Sequence, residues 1–139
     1  MFVVVTTIDF NAKIQISMIK ISSILVGTRD LSKARPFYEK VFGFVFDEFR
    51  PPYASATVDG LEFNIEEDAD YRSPDWVNNY IGGRKNVAFQ TDDLKSFLIK
   101  AEASGAKVIQ EATDQPWGWS EAVIADPDGN EFLVEQEII

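Results

Sequence analysis

Asp30-Leu31-Ser32-Lys33-Ala34-Arg35-Pro36-Phe37-Tyr38 is the stretch that decides the fold. Counted from Asp30, apolar residues fall at offsets one, four, eight and twelve: Leu31, Ala34, Tyr38 and Phe42. That spacing lays one apolar stripe along a helix. Asp30 suits the N-cap, because its carboxylate can accept from the free N–H groups of the first turn. Gly43 suits the C-terminal cap, since glycine enters the left-handed conformation without a Cβ clash. Pro36 lies inside and has no backbone donor, so a late start or a kink is expected there. Asp93-Leu94 opens a second stretch of the same kind, with Leu94, Phe97 and Ala101 on the stripe and Gly105 closing it.

Outward from both helices the pattern repeats. Strand-like runs precede them, at Ile19–Val26 and Lys85–Thr91. After Gly43 come Phe44–Arg50, Ala54–Val58 and Leu61–Glu66, with Asp59-Gly60 as a two-residue hairpin turn. After Gly105 come Lys107–Thr113, Ser120–Ala125 and Phe132–Gln136, with Asp126-Pro127-Asp128-Gly129-Asn130 as the turn. Strand, helix and three strands are thus written twice. The expected organisation is an N-terminal extension over 1–17, then one domain over 18–139. Within it, a first module covers 18–67, a linker with Tyr71, Trp76 and Tyr80 covers 68–83, and a second module covers 84–138.

Alternation assigns the faces of the strands. In Leu61–Glu66 the apolar set is Leu61, Phe63 and Ile65, against Glu62, Asn64 and Glu66. In Asn86–Gln90 it is Val87 and Phe89, against Asn86, Ala88 and Gln90. The apolar sets are expected to pack on the helices. The polar sets then line a cavity on the far side of a curved sheet, or simply meet water.

Composition limits the chemistry. The 139 residues contain no histidine and no cysteine. The usual general base at neutral pH, thiol chemistry and the two commonest transition-metal ligands are therefore excluded. Thirteen basic residues against twenty-three acidic ones give a net charge of −10. A field of that sign repels nucleic acid and anionic membranes and attracts cations. No stretch is apolar for long enough to span a bilayer. The segment 1–16 carries Asp9 and lacks a basic start, so no signal peptide is expected and a cytoplasmic location is the default. Either Met1 or Met18 would serve as a start, and 1–17 could add an edge strand or be of little consequence.

The helix opening Asp30–Tyr38, Gly43-Phe44 and the late turn Asp126–Asn130, in that order and with the internal duplication, resemble the vicinal oxygen chelate superfamily. That group includes glyoxalase I, fosfomycin-resistance proteins, extradiol dioxygenases and bleomycin resistance proteins. The resemblance covers roughly 18–138 and implies an α+β fold. It implies two βαβββ modules that form a curled mixed sheet around a cavity, with helices on the outer face, commonly in a homodimer. In metal-using members a histidine lies seven residues before the helix Asp, a second begins the strand before the second helix, and a Glu lies four after the final turn's Gly. Those positions here are Ser23, Asn86 and Leu133. Some members draw a further ligand from where Glu62 or Asn64 stands. A hydroxyl, an amide and an alkyl group do not make a divalent-metal site. No metal and no cofactor is expected.

The departure from the metal pattern resembles the bleomycin-resistance branch, which sequesters a bulky cationic ligand without chemistry. Asp114-Gln115-Pro116-Trp117-Gly118-Trp119 is similar to the Gln-Pro-Trp-Gly stretch of those proteins. The expected partner is a small, possibly cationic molecule, with neither nucleic acid nor membrane involved, and the expected assembly is a homodimer. The candidate ligand-binding residues are Trp117, Trp119, Glu62, Asn64, Asn86, Gln90, Ser23, Glu135, Phe49 and Tyr53. Trp rings stack on flat ligands or cover a cation, and the carboxylates favour positive charge. Two alternatives stay open. One is a glyoxalase-like lyase or isomerase with Glu62 or Glu135 as general base. The other is a ligand-sensing module whose partner is a protein.

Overall fold

Strand, helix and three strands follow one another twice in the computed structural model, which describes residues 18–67 and 79–139. The first set is β1 (Ile24–Thr28), α1 (Leu31–Phe42), β2 (Phe46–Arg50), β3 (Tyr53–Val58) and β4 (Leu61–Glu67). The second is β5 (Gly83–Gln90), α2 (Leu94–Ala103), β6 (Lys107–Asp114), β7 (Trp119–Ala125) and β8 (Asn130–Glu137). The extension 1–17 and the linker aromatics Tyr71 and Trp76 lie outside the described residues.

Each module forms its own four-stranded sheet in the same order, β1-β4-β3-β2 and β5-β8-β7-β6. The first strand pairs in parallel with the fourth, and the remaining pairs are antiparallel. Both sheets are therefore mixed, and neither closes into a barrel.

The helix ends obey the sequence. Asp30 accepts from Lys33 N at 3.3 Å and Asp93 from Ser96 N at 3.1 Å. Gly43 takes the left-handed conformation, with φ of 72°. The first N–H of each helix is also satisfied, and by the same device in both modules. Leu31 N donates to Glu67 Oε2 and Leu94 N to Gln136 Oε1, both at 2.8 Å. Glu67 and Gln136 end or nearly end the fourth strand of their modules, so the duplication extends to side-chain hydrogen bonds.

Two expectations change. Helix α1 begins directly after Asp30 and runs through Pro36. The carbonyl that Pro36 cannot serve belongs to Ser32, and both residues are exposed, so water can take that bond. Strand β1 begins at Ile24, not Ile19. Its parallel register sets Ile24 against Phe63, and β4 starts only at Leu61, so residues before 22 have no partner strand.

The core is shared by both modules. The Phe63 ring of β4 stands 6.4 Å from that of Phe132 in β8 and 6.2 Å from that of Phe89 in β5. Tyr38 and Phe42 of α1 wedge between them, with Phe42 stacked on Phe89 at 4.1 Å. Such aromatic pairs add about 0.5–1.5 kcal/mol each beyond their area. The apolar faces of the two sheets thus meet through the helices. The polar rows lie on the opposite face of each sheet, where Asn64 and Ser55 are themselves buried.

Candidate functional site

The candidate residues fall into two groups, because the polar faces belong to two sheets. On the first sheet, strand pairing lines up Leu25, Asn64, Ser55 and Glu48 in one row. Asn64 is buried, and Tyr53 Oη donates to its Oδ1 at 3.3 Å. Glu62 is exposed and faces Thr57 across β3–β4. Ser23 is half-buried just before β1. Phe49 does not join them. It pairs with Ala54, whose other neighbour is the core residue Ile65, so it lies on the helix face. There the Arg35 guanidinium sits 4.3 Å from its ring centroid and also pairs with Glu39 at 3.0 Å.

On the second sheet, one row crosses all four strands: Gln90, Glu135, Glu121 and Thr113. Gln90 is exposed, and Glu135 and Glu121 are half-buried. Partial burial first, and the Glu121 carboxylate second, push the Glu135 carboxyl above its usual range. Trp117 is 61% exposed, and its Nε1 donates to Glu121 Oε2 at 3.3 Å. Trp119 is half-buried opposite Glu137. The loop between the two indoles depends on Gly118, whose φ is 92°. A Cβ there would stand 2.6 Å from Ile139 Cδ1. Asn86 is exposed on β5, where the register with β8 shifts between Arg84 and Ala88.

The three positions where metal-using relatives place ligands do not fit a metal. Ser23, just before β1, and Asn86, on β5, offer only neutral oxygens. Leu133 is flanked by Ala88 on one side and Val123 on the other, an alkyl strip where a carboxylate would be needed. Among the described residues, no three Asp or Glu side chains are grouped to hold a metal ion.

Two features escaped the sequence reading. Glu121 shares its face with Trp119 and Glu135, and the hairpin around the 126–130 turn would have paired it with Glu135. Asp126, explained there by turn geometry alone, is a buried acceptor. It takes bonds from Tyr38 Oη at 2.5 Å, Asp128 N at 2.9 Å, Asn130 N at 2.9 Å and Asn130 Nδ2 at 2.8 Å. Burial raises its carboxyl, and the Tyr38 and Asn130 bonds oppose that. Asn130 continues the network, donating to Gly27 O and accepting from Gly82 N.

A cavity of about 600 Å³ opens where the modules meet. Phe42, Phe63, Phe89 and Phe97 contribute to its wall, and Gln90 and Glu135 reach it from the end of the second sheet. No helix among the described residues is long and apolar enough to cross a membrane.

Residues 20–134 match the family described as the Glyoxalase/Bleomycin resistance protein/Dioxygenase superfamily. Solved structures of the same shape include a glyoxalase/bleomycin resistance protein/dioxygenase family enzyme from Burkholderia phytofirmans PsJN. It is 23% identical, with a TM-score of 0.72 over 84% of this chain and 98% of that one. TioX from Micromonospora sp. ML1 is 17% identical, with a TM-score of 0.69 over 86% and 99%. Lactoylglutathione lyase from Agrobacterium tumefaciens is 20% identical, with a TM-score of 0.67 over 84% and 92%. No curated protein matches the sequence significantly. At these identities the structural likeness establishes the fold.

Proposed function

The chain belongs to the glyoxalase/bleomycin resistance protein/dioxygenase superfamily, and from that premise we propose that it is a metal-independent small-molecule-binding protein. Its ligand is planar or cationic and is held by aromatic and acidic side chains on the polar sheet faces. The observation that carries this reading is the residue set at the scaffold's metal positions. Ser23, Asn86 and the alkyl strip around Leu133 offer no charged donor, while carboxylates and indoles stand on the same sheet face nearby. An exposed indole beside a carboxylate suits a flat cation, because the ring face attracts positive charge and the carboxylate neutralises it.

A homodimer fits the same reading. The two polar faces lie on separate modules, so one chain offers two half-sites. Setting the first sheet of one copy against the second sheet of another would bring Tyr53, Asn64 and Glu62 opposite Trp117, Glu121 and Glu135. A cup closed in this way excludes water from the ligand.

The reading is tested by titrating planar cationic dyes of the acridine and phenanthridinium kinds while following tryptophan emission and melting temperature. Quenching that disappears in Trp117→Phe, together with thermal stabilisation, supports it. No quenching and no stabilisation across the panel would refute it. A second reading, a glyoxalase-like lyase or isomerase, draws on the raised Glu135 carboxyl, which is the direction a general base near neutral pH requires. Turnover of a 2-oxoaldehyde adduct that is lost in Glu135→Gln would favour it.

A further inference from the structure

The cavity at the module junction is chemically unlike either polar face. Ile24, Phe42, Val58, Val87, Phe89 and Phe97 all pack against the core yet stay half-buried, and all six open onto this one space. Folded chains ordinarily fill apolar interiors to close packing. A concave space of about 600 Å³ with an aromatic wall, whose polar side chains are Asp59, Gln90, Thr91 and Glu135, lies within the size range of small-molecule sites. Among the described residues its charged lining consists of Asp59 and Glu135, with no Lys or Arg. Asp59 sits in the β3–β4 turn at the rim, and Glu135 reaches in from β8.

We infer that this cavity is a binding site for a small hydrophobic monocation, an aryl-alkyl amine. The aryl group lies against the Phe42–Phe89 stack and the ammonium meets the Asp59 and Glu135 carboxylates. Apolar area supplies the binding free energy, and the acidic rim selects the sign of the charge. This site is separate from the indoles of the sheet face, although Gln90 and Glu135 border both.

The test is calorimetric titration of the full chain with 4-phenylbutylamine, 4-phenylbutanol and 4-phenylbutyrate, with methyl NMR to locate them. The amine is expected to bind about fivefold to tenfold tighter than the alcohol, and the acid weakest. Shifts should fall on the methyls of Ile24, Val58 and Val87. Leu61 lines the cavity beside Asp59 and is 38% exposed, so Leu61→Arg should fold with an unchanged melting temperature. Its guanidinium would neutralise Asp59 and weaken the amine at least about tenfold. Leu61→Glu should strengthen it. The inference is overturned if none of the three binds, if the acid binds as well as the amine, or if Leu61→Arg leaves amine affinity unchanged. It is also overturned if binding appears only in a variant beginning at Met18, which would mean that the chain's own N-terminal residues fill the space. Quenching that is lost in Trp117→Phe reads the sheet face, so failure here and failure of the proposed function are told apart.

Discussion

Tyr38 and Asp126 are 88 positions apart in sequence, and their side-chain oxygens are 2.5 Å apart in a fully buried hydrogen bond. The bond ties the first helix to the last turn, and so joins one module to the other. Tyr38→Phe removes one donor and leaves Asp126 its other three, so it should cost about 1–2 kcal/mol of stability. Asp126→Ala strands Tyr38 Oη and the Asp128 and Asn130 amides in the interior, and should cost about 3–5 kcal/mol. Denaturant unfolding of both variants checks the order, and equal costs would contradict it.

Gly118 and Ile139 form a second such pair. The glycine combines a φ of 92° with a Cβ position 2.6 Å from the isoleucine side chain. Gly118→Ala should therefore lose about 1–3 kcal/mol, nearly all of it backbone strain, because Ile139 is 93% exposed and its side chain can swing away. Adding Ile139→Ala leaves the backbone strain in place, so the double variant should recover little of the loss. Thermal melts of the two variants measure that fraction.

Glu121 and Glu135 face each other across β7 and β8, and the Glu135 carboxyl is raised by partial burial and by Glu121. A carboxyl whose folded pKa lies above its unfolded value binds its proton more tightly in the native state. Stability is then lost as pH rises from the unfolded value through the folded one. Glu135→Gln should thus raise the melting temperature at neutral pH, and the gain should vanish below about pH 3, where the carboxyl is protonated in both states. Glu121→Gln should return the Glu135 titration, followed by carboxyl NMR, toward its usual range.

The fold was legible where the physics is local. Asp30, Asp93 and Gly43 act through neighbours within one turn, and the alternation of Phe63 and Ile65 or Val87 and Phe89 needs only the pleat. The internal duplication gave the strand order of both sheets its repeat. Three things were hidden because they depend on residues distant in sequence. The start of β1 is set by where β4 begins. The place of Phe49 follows from pairing with Ala54 rather than from alternation of β2 itself, where the register shifts between Phe46 and Glu48. The role of Asp126 needs Tyr38, which local turn chemistry cannot supply. Of the candidate site, alternation placed Glu62 with Asn64 and Asn86 with Gln90 on one strand face each, while their division between two sheets follows from strand pairing between distant residues.

The central claim is that ligand binding needs no metal. Its most direct test is calorimetric titration of the best cationic dye into protein stripped with a chelator, repeated with zinc, manganese or nickel added. Ser23, Asn86 and Leu133 at the scaffold's metal positions predict the same affinity in every case, with tryptophan quenching intact and no metal retained after purification. Binding that appears only with added metal, or one equivalent of tightly held metal in freshly purified protein, would contradict it.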